Sequence, residues 1–204
     1  MRRLPPLERA RCGSGSAPTV GGEQLHAWAF ATRSFREHLG MNGGHGGVDD
    51  DMVARGNAGI GATIMGRNMF GPVRGAWGEP QWTGWWGDEP PFRHPVFVLT
   101  HHPRASFTMT GGTTFHFVTD GPETALARAR DAAGDRDVRI GGGPATIRQF
   151  LEVRLIDELH VVVAPVLLGA GEPLFGGIAQ LAEGYRCTEL VQSETVTHFL
   201  LARR

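Results

Sequence analysis

The stretch Val138-Arg139-Ile140-Gly141-Gly142-Gly143-Pro144-Ala145-Thr146 constrains the fold more than any other part of the chain. A short apolar strand runs into three consecutive glycines. Pro144 then stands where a helix tolerates proline, in the first turn, whose missing N–H costs nothing. A strand, a glycine turn and a helix start in that order build an anion site. Backbone without Cβ atoms admits a diphosphate, and the free N–H groups and dipole of the opening turn favour negative charge. A plain strand-to-helix connection would also use glycine for positive φ, so the turn by itself leaves both readings open.

The residues that follow narrow the choice. A helix ends near Val153-Arg154-Leu155-Ile156, then come Asp157-Glu158-Leu159-His160, a long apolar strand over Leu159–Leu168, and Ala164-Pro165-Val166-Leu167-Leu168-Gly169-Ala170-Gly171-Glu172-Pro173-Leu174-Phe175. Over this run of nearly forty residues the chain resembles the dihydrofolate reductase-like superfamily, and within it the reductase domain of riboflavin biosynthesis. The resemblance implies a three-layer α/β/α fold with a mainly parallel central sheet and a C-terminal antiparallel hairpin. It also implies NADPH as cofactor, a small heterocyclic substrate and a homodimer.

Composition sets the outer bounds. A length of 204 residues with 41% hydrophobic content suits one large domain over 23–204, preceded by a disordered or atypical segment over 1–22 rich in Arg, Pro, Gly and Ser. The resemblance implies a hydrophobic first strand in that segment, and its residues do not supply one. A net charge of −1 with scattered arginines gives no field for nucleic acid or anionic lipid. No apolar run reaches membrane-spanning length and no signal-peptide core opens the chain, so the expectation is a cytoplasmic protein. Cys12 and Cys187 are too few and too far apart for a disulfide framework or a four-ligand metal site. All 20 basic residues are arginine. The absence of lysine excludes Schiff-base chemistry, a phosphate-loop lysine and a tyrosine–lysine dehydrogenase pair.

Along the chain, Glu23–Phe35 spaces Leu25, Trp28, Ala29, Thr32 and Phe35 on one helical face. Trp28 either stacks on a flat substrate ring or belongs to the core stripe, and its spacing favours the core. Asp49-Asp50-Asp51 reads as the acidic cap and first turn of another helix, with Asp51 as the carboxylate that could relay a proton to substrate. Ile60–Met65 suits a buried strand that ends in Gly66-Arg67-Asn68-Met69. The resemblance makes these four residues a second cofactor loop, where a guanidinium can hold phosphate oxygens in a two-pronged contact.

Four tryptophans, Trp77, Trp82, Trp85 and Trp86, fall in a Gly/Pro-rich segment without a regular period. Two roles suit such a loop: an aromatic lid, with Trp85 facing substrate, or adhesion of a long loop to the core or to a second subunit. Pro95–Thr100 is a further strand. The resemblance turns its end toward the adenosine ribose, so Leu99 is expected among the cofactor contacts, and Thr100, His101 and Arg104 near a 2′-phosphate. Thr114–Thr119 and a helix from Gly121 lead back to the glycine turn, whose Gly141, Gly142, Gly143, Pro144, Ala145 and Thr146 complete the expected cofactor contacts. Tyr185–Val191 and Thr195–Leu201 read as a closing hairpin at the sheet edge. No catalytic residue and no metal ligand set is assigned. A hydrolase finds no Gly-x-Ser-x-Gly motif and no evident carboxylate-paired histidine. The alternative to a reductase is a non-catalytic NADPH-binding or dimerising module.

Overall fold

The computed structural model describes residues 22–72, 74–78, 81–178 and 181–204, so nearly all of the expected N-terminal segment 1–22 lies outside the described residues. The chain divides into two compact units. The described part of the first is Gly59–Thr146, and that of the second comprises residues 22–58 together with Ile147–Arg204.

The first unit is built on a five-stranded sheet. β1 (Ile60–Gly66) lies between β2 (Pro95–Leu99) and β5 (Asp137–Ile140), parallel to both, and β4 (Thr114–Val118) is parallel to β2. The two-residue β3 (Phe107–Thr108) closes the far edge antiparallel to β4. Six consecutive residues of β1 are buried, as expected of a parallel strand covered on both faces. The crossover from β4 to β5 is α5 (Gly121–Ala133), which starts with a proline in its first turn and buries Ala125, Leu126, Ala129 and Ala133. Small residues on that stripe let the helix lie close to β1 and β2.

An aromatic core covers the sheet. Phe70, at the end of the four-residue α4 (Arg67–Phe70), is fully buried, with ring centroids 5.1 Å from Phe115 and 5.4 Å from Phe117. So short a helix cannot hold itself in water, and this ring, worth about 3–5 kcal/mol against alanine, is what fixes it. Trp77, Trp82 and Trp86 pack on the same cluster, and the Trp82 indole N–H donates to the Phe70 carbonyl at 3.0 Å. Of the two roles expected for the tryptophan loop, these three side chains perform adhesion to the core.

In the second unit the expected single helix over 23–35 is broken into a 3-10 turn (Gly22–His26), α1 (Ala27–Phe30) and α2 (Arg33–His38). Thr32 causes the break. Its buried hydroxyl donates to the Ala29 carbonyl at 2.7 Å and accepts from the Phe35 N–H at 3.3 Å, so it ends one helix and caps the next. The long strand expected over Leu159–Leu168 is also corrected. β6 spans Glu158–Val163 and stops before Pro165, where the Val166 N–H turns back to the Ala164 carbonyl at 2.8 Å. The expected hairpin forms from β7 (Tyr185–Gln192) and β8 (Thr197–Arg203). It does not close an edge of the parallel sheet: β6 pairs with β8 over its whole length, giving a separate antiparallel sheet in the order β6-β8-β7. α6 spans Pro144–Glu152, and α7 is a four-residue helix over Leu181–Gly184.

The acidic run enters α3 (Val48–Asn57), but Gly47 is its N-cap and no side chain caps it. Asp50 instead accepts from the Ser34 N–H at 2.6 Å, and Asp49 reaches β8. One Asp49 oxygen lies 2.9 Å from Nε2 of the fully buried His198, the other accepts from the Thr195 hydroxyl, and Nδ1 of His198 lies 3.0 Å from Nε2 of His160. A carboxylate only accepts, so His198 donates through Nε2, and its Nδ1 shares a hydrogen bond with Nε2 of His160. The expectation of no carboxylate-paired histidine is therefore overturned. The third group is an imidazole rather than a hydroxyl, an order that differs from a hydrolase triad.

Desolvation, with His198 and Arg55 close by, holds the His160 imidazole below its ordinary value of 6.5, while Glu189 acts weakly in the opposite direction. The unfolded chain therefore takes up that proton first as pH falls. Stability from this group is complete above the unfolded value and declines as pH drops below it. Thermal midpoints should fall between about pH 7.5 and pH 5.5, and His160→Gln should flatten that slope. An unchanged slope in the variant would contradict the assignment.

Candidate functional site

Parallel strands place their C-terminal ends on one rim, and ligands of such sheets bind there. β1, β2 and β5 are adjacent, with Gly66 in register with Leu99 and Ile64 with Ile140. The three segments expected to hold a cofactor, Gly66-Arg67-Asn68-Met69, Leu99-Thr100-His101 and Gly141-Gly142-Gly143, thus leave the sheet side by side.

The first and third of these touch. The Gly141 N–H donates to the Ile64 carbonyl at 2.8 Å, which extends the ladder by one residue into the turn. Gly142 then takes φ +131°, a conformation that L side chains rarely adopt, and a Cβ placed on it would lie 3.5 Å from the Gly66 nitrogen. At Gly66 the constraint is space. A Cβ there would lie 2.1 Å from the hydroxyl oxygen of Thr146, in the first turn of α6. Thr146 is buried and its N–H bonds to the Gly143 carbonyl at 3.1 Å. The start of α6 is therefore seated directly on the end of β1. Met69 borders the same turn, its sulfur 3.6 Å from the Cβ position of Gly141.

Thr100 joins the second segment to the first. It is buried, its N–H bonds to the Val118 carbonyl at 3.0 Å, and its hydroxyl accepts from Arg67 Nη1 at 3.3 Å and from the His102 N–H at 3.1 Å. Phe70, buried three residues on, fixes the short helix that carries Arg67. The face of the Arg67 guanidinium lies 3.7 Å from the Trp77 ring centroid, and burial, with Arg74 close by, holds it below the ordinary arginine value. A partly desolvated cation gains more from an anionic ligand than one in open water.

The remaining expected residues have other settings. Arg104 donates to the Trp82 carbonyl at 2.6 Å and sits among Trp77, Phe107 and Phe117 at 4.9, 4.5 and 5.0 Å, so at least part of its bonding holds the tryptophan loop. His101 is exposed on the turn after β2. A cavity of about 380 Å³, lined in part by Trp77, Gln81, His102 and Arg104, opens beside that turn. Trp85 meets Trp82 edge-on at 4.8 Å. In the second unit Trp28 is half-buried and packs edge-on to His198 at 5.1 Å, whereas Asp51 is exposed on α3. Among the described residues no group of three or more His, Cys, Asp or Glu side chains could hold a metal ion, and no helix is long and apolar enough to cross a membrane.

A dinucleotide fits these residues. The glycine turn brings the Gly142 and Gly143 backbone to the rim without Cβ atoms in the way, the positive end of the α6 dipole opens beside it, and Arg67 supplies charge beside Thr100. Sequence reasoning missed Trp77 as the partner of Arg67, because a tryptophan in a segment without periodicity carries no sign of where its ring lands. It also missed the pairing of Asp49 with His198, residues 149 positions apart.

Comparison with known proteins agrees with this architecture. The family model for the RibD C-terminal domain matches residues 20–200. A protein named for riboflavin biosynthesis from Shewanella sp. PV-4 superposes with a TM-score of 0.52 at 25% identity, covering 77% of this chain and 81% of that one. The diaminohydroxyphosphoribosylaminopyrimidine deaminase/5-amino-6-(5-phosphoribosylamino)uracil reductase of Thermotoga maritima gives 0.50 at 13% identity over 76% of this chain and 48% of that chain, a likeness of fold. The uncharacterized protein YwjB of Bacillus subtilis (strain 168) is 36% identical over 84 residues, which is 38% of this chain and about half, 48%, of that relative. The chain belongs to the RibD C-terminal domain family, a riboflavin-pathway, reductase-type family with the dihydrofolate reductase-like fold.

Proposed function

We propose that the protein is an NADPH-dependent reductase that delivers hydride to a small heterocyclic substrate of the 5-amino-6-(5-phosphoribosylamino)uracil or dihydrofolate type. The observation that carries this reading is the meeting of Gly66-Arg67 with Gly142 and the first turn of α6 at the end of β1. When bound, the nicotinamide supplies the hydride, and the protein's part is to hold it, orient it and exclude water. The Gly142–Gly143 backbone at the start of α6 would receive the diphosphate, and Arg67 with Thr100 would hold a phosphate through charge-assisted contacts. That division of labour accounts for a site rich in glycine and poor in nucleophiles.

The alternative, an NADPH binder without turnover, shares every residue of this site. The two readings separate by activity on a pyrimidine or pterin substrate.

A thermal-shift comparison of NADPH with NADH tests the cofactor assignment. At about 100 times its dissociation constant a ligand of the native state adds about 2.7 kcal/mol, so NADPH should raise the midpoint clearly and more than NADH at equal concentration. Equal shifts, or none, would contradict the assignment. Replacement of Gly66 by Ala forces Thr146 away from β1. It should weaken NADPH binding by about tenfold or more and lower stability by about 1–3 kcal/mol, as overpacking does. Unaltered affinity in a folded Gly66→Ala protein would show that the cofactor does not use this rim.

A further inference from the structure

We propose that Trp77 is a positioning residue for Arg67 and thereby sets how tightly the site holds a phosphate-bearing adenine dinucleotide. The inference rests on the cofactor reading above and goes beyond it by assigning the tryptophan loop a part in binding.

Arginine loses much side-chain rotamer freedom in any contact, and a site that has already ordered it binds an anion at lower cost. Here the ordering is visible. Arg67 Nη1 bonds to the Thr100 hydroxyl at 3.3 Å, and the guanidinium face lies 3.7 Å from the centre of the Trp77 indole. Stacking occupies the face of a guanidinium, whereas phosphate is bound by N–H groups in its plane, so the two contacts do not compete.

The indole is itself fixed. Its N–H donates to the His102 carbonyl at 3.0 Å, and its ring meets Phe117 at 5.1 Å and Phe70 at 6.0 Å, both edge-on. Trp77 therefore ties the segment after β2 to the arginine after β1. The same indole forms a wall of the 380 Å³ cavity whose lining includes Gln81, His102 and Arg104.

The rival account is that Trp77 only glues its loop to the core. A double-mutant cycle on the full chain separates the two. NADPH dissociation constants are measured for the wild type, Trp77→Ala, Arg67→Ala and the double variant, with thermal midpoints recorded for each. Trp77→Ala should weaken NADPH about five- to tenfold, but less than about twofold once Arg67 is already alanine. Trp77→Phe keeps a ring over the guanidinium and should restore most of the affinity, and it carries the comparison if the alanine variant does not fold. Effects that multiply independently, or a lower midpoint with NADPH affinity unchanged, would overturn the proposal and leave the cofactor reading standing. Absence of NADPH binding by the wild type would overturn both.

Discussion

The site depends on how closely two backbones approach at the C-terminal end of β1. Gly66 has no room for a Cβ because the Thr146 hydroxyl would lie 2.1 Å from it, and Gly142 adopts φ +131° where a Cβ would lie 3.5 Å from the Gly66 nitrogen. With any larger residue at 66 the Thr146 side chain would have to give way where the first turn of α6 rests on the strand. The parallel register of β5, β1 and β2 supplies the rest, since it pairs Ile64 with Ile140 and Gly66 with Leu99, so that the three strands end on one rim.

What a sequence displays is local, and the parts of this fold that depend on local chemistry were legible. The unbroken apolar run of Ile60–Met65 signalled a strand buried on both faces, and all but its first residue are buried. The Gly-Gly-Gly-Pro order signalled a turn into a helix, and α6 begins at Pro144. Thr32 was read as one more residue of a helical stripe, yet its hydroxyl competes for the backbone and splits the helix. Pro165 was read through as part of a strand, although it stops β6 two residues earlier.

Contacts between distant residues had no local sign. The tryptophan segment announced that it needed a reason for its length, but not that Trp77 would lie on Arg67 or that Trp82 would bond to Phe70. Likewise an acidic run before a helix suggested capping, whereas Asp49 and Asp50 make tertiary contacts with His198 and Ser34. In both places a side chain that could have served the nearest backbone is drawn to a partner that only the assembled fold supplies. Arg67 shows the functional side of this. Its type and position were readable, while the stack that orders it required the folded loop.

The central claim is that one dinucleotide is held by three turns at the rim of the parallel sheet. Backbone amide resonances recorded during titration with oxidised NADP test it most directly. Saturable shifts concentrated at Gly66–Met69, Thr100–His101 and Gly141–Thr146 are the predicted result. No saturable shift, or shifts centred on other segments while these amides stay in place, would contradict it.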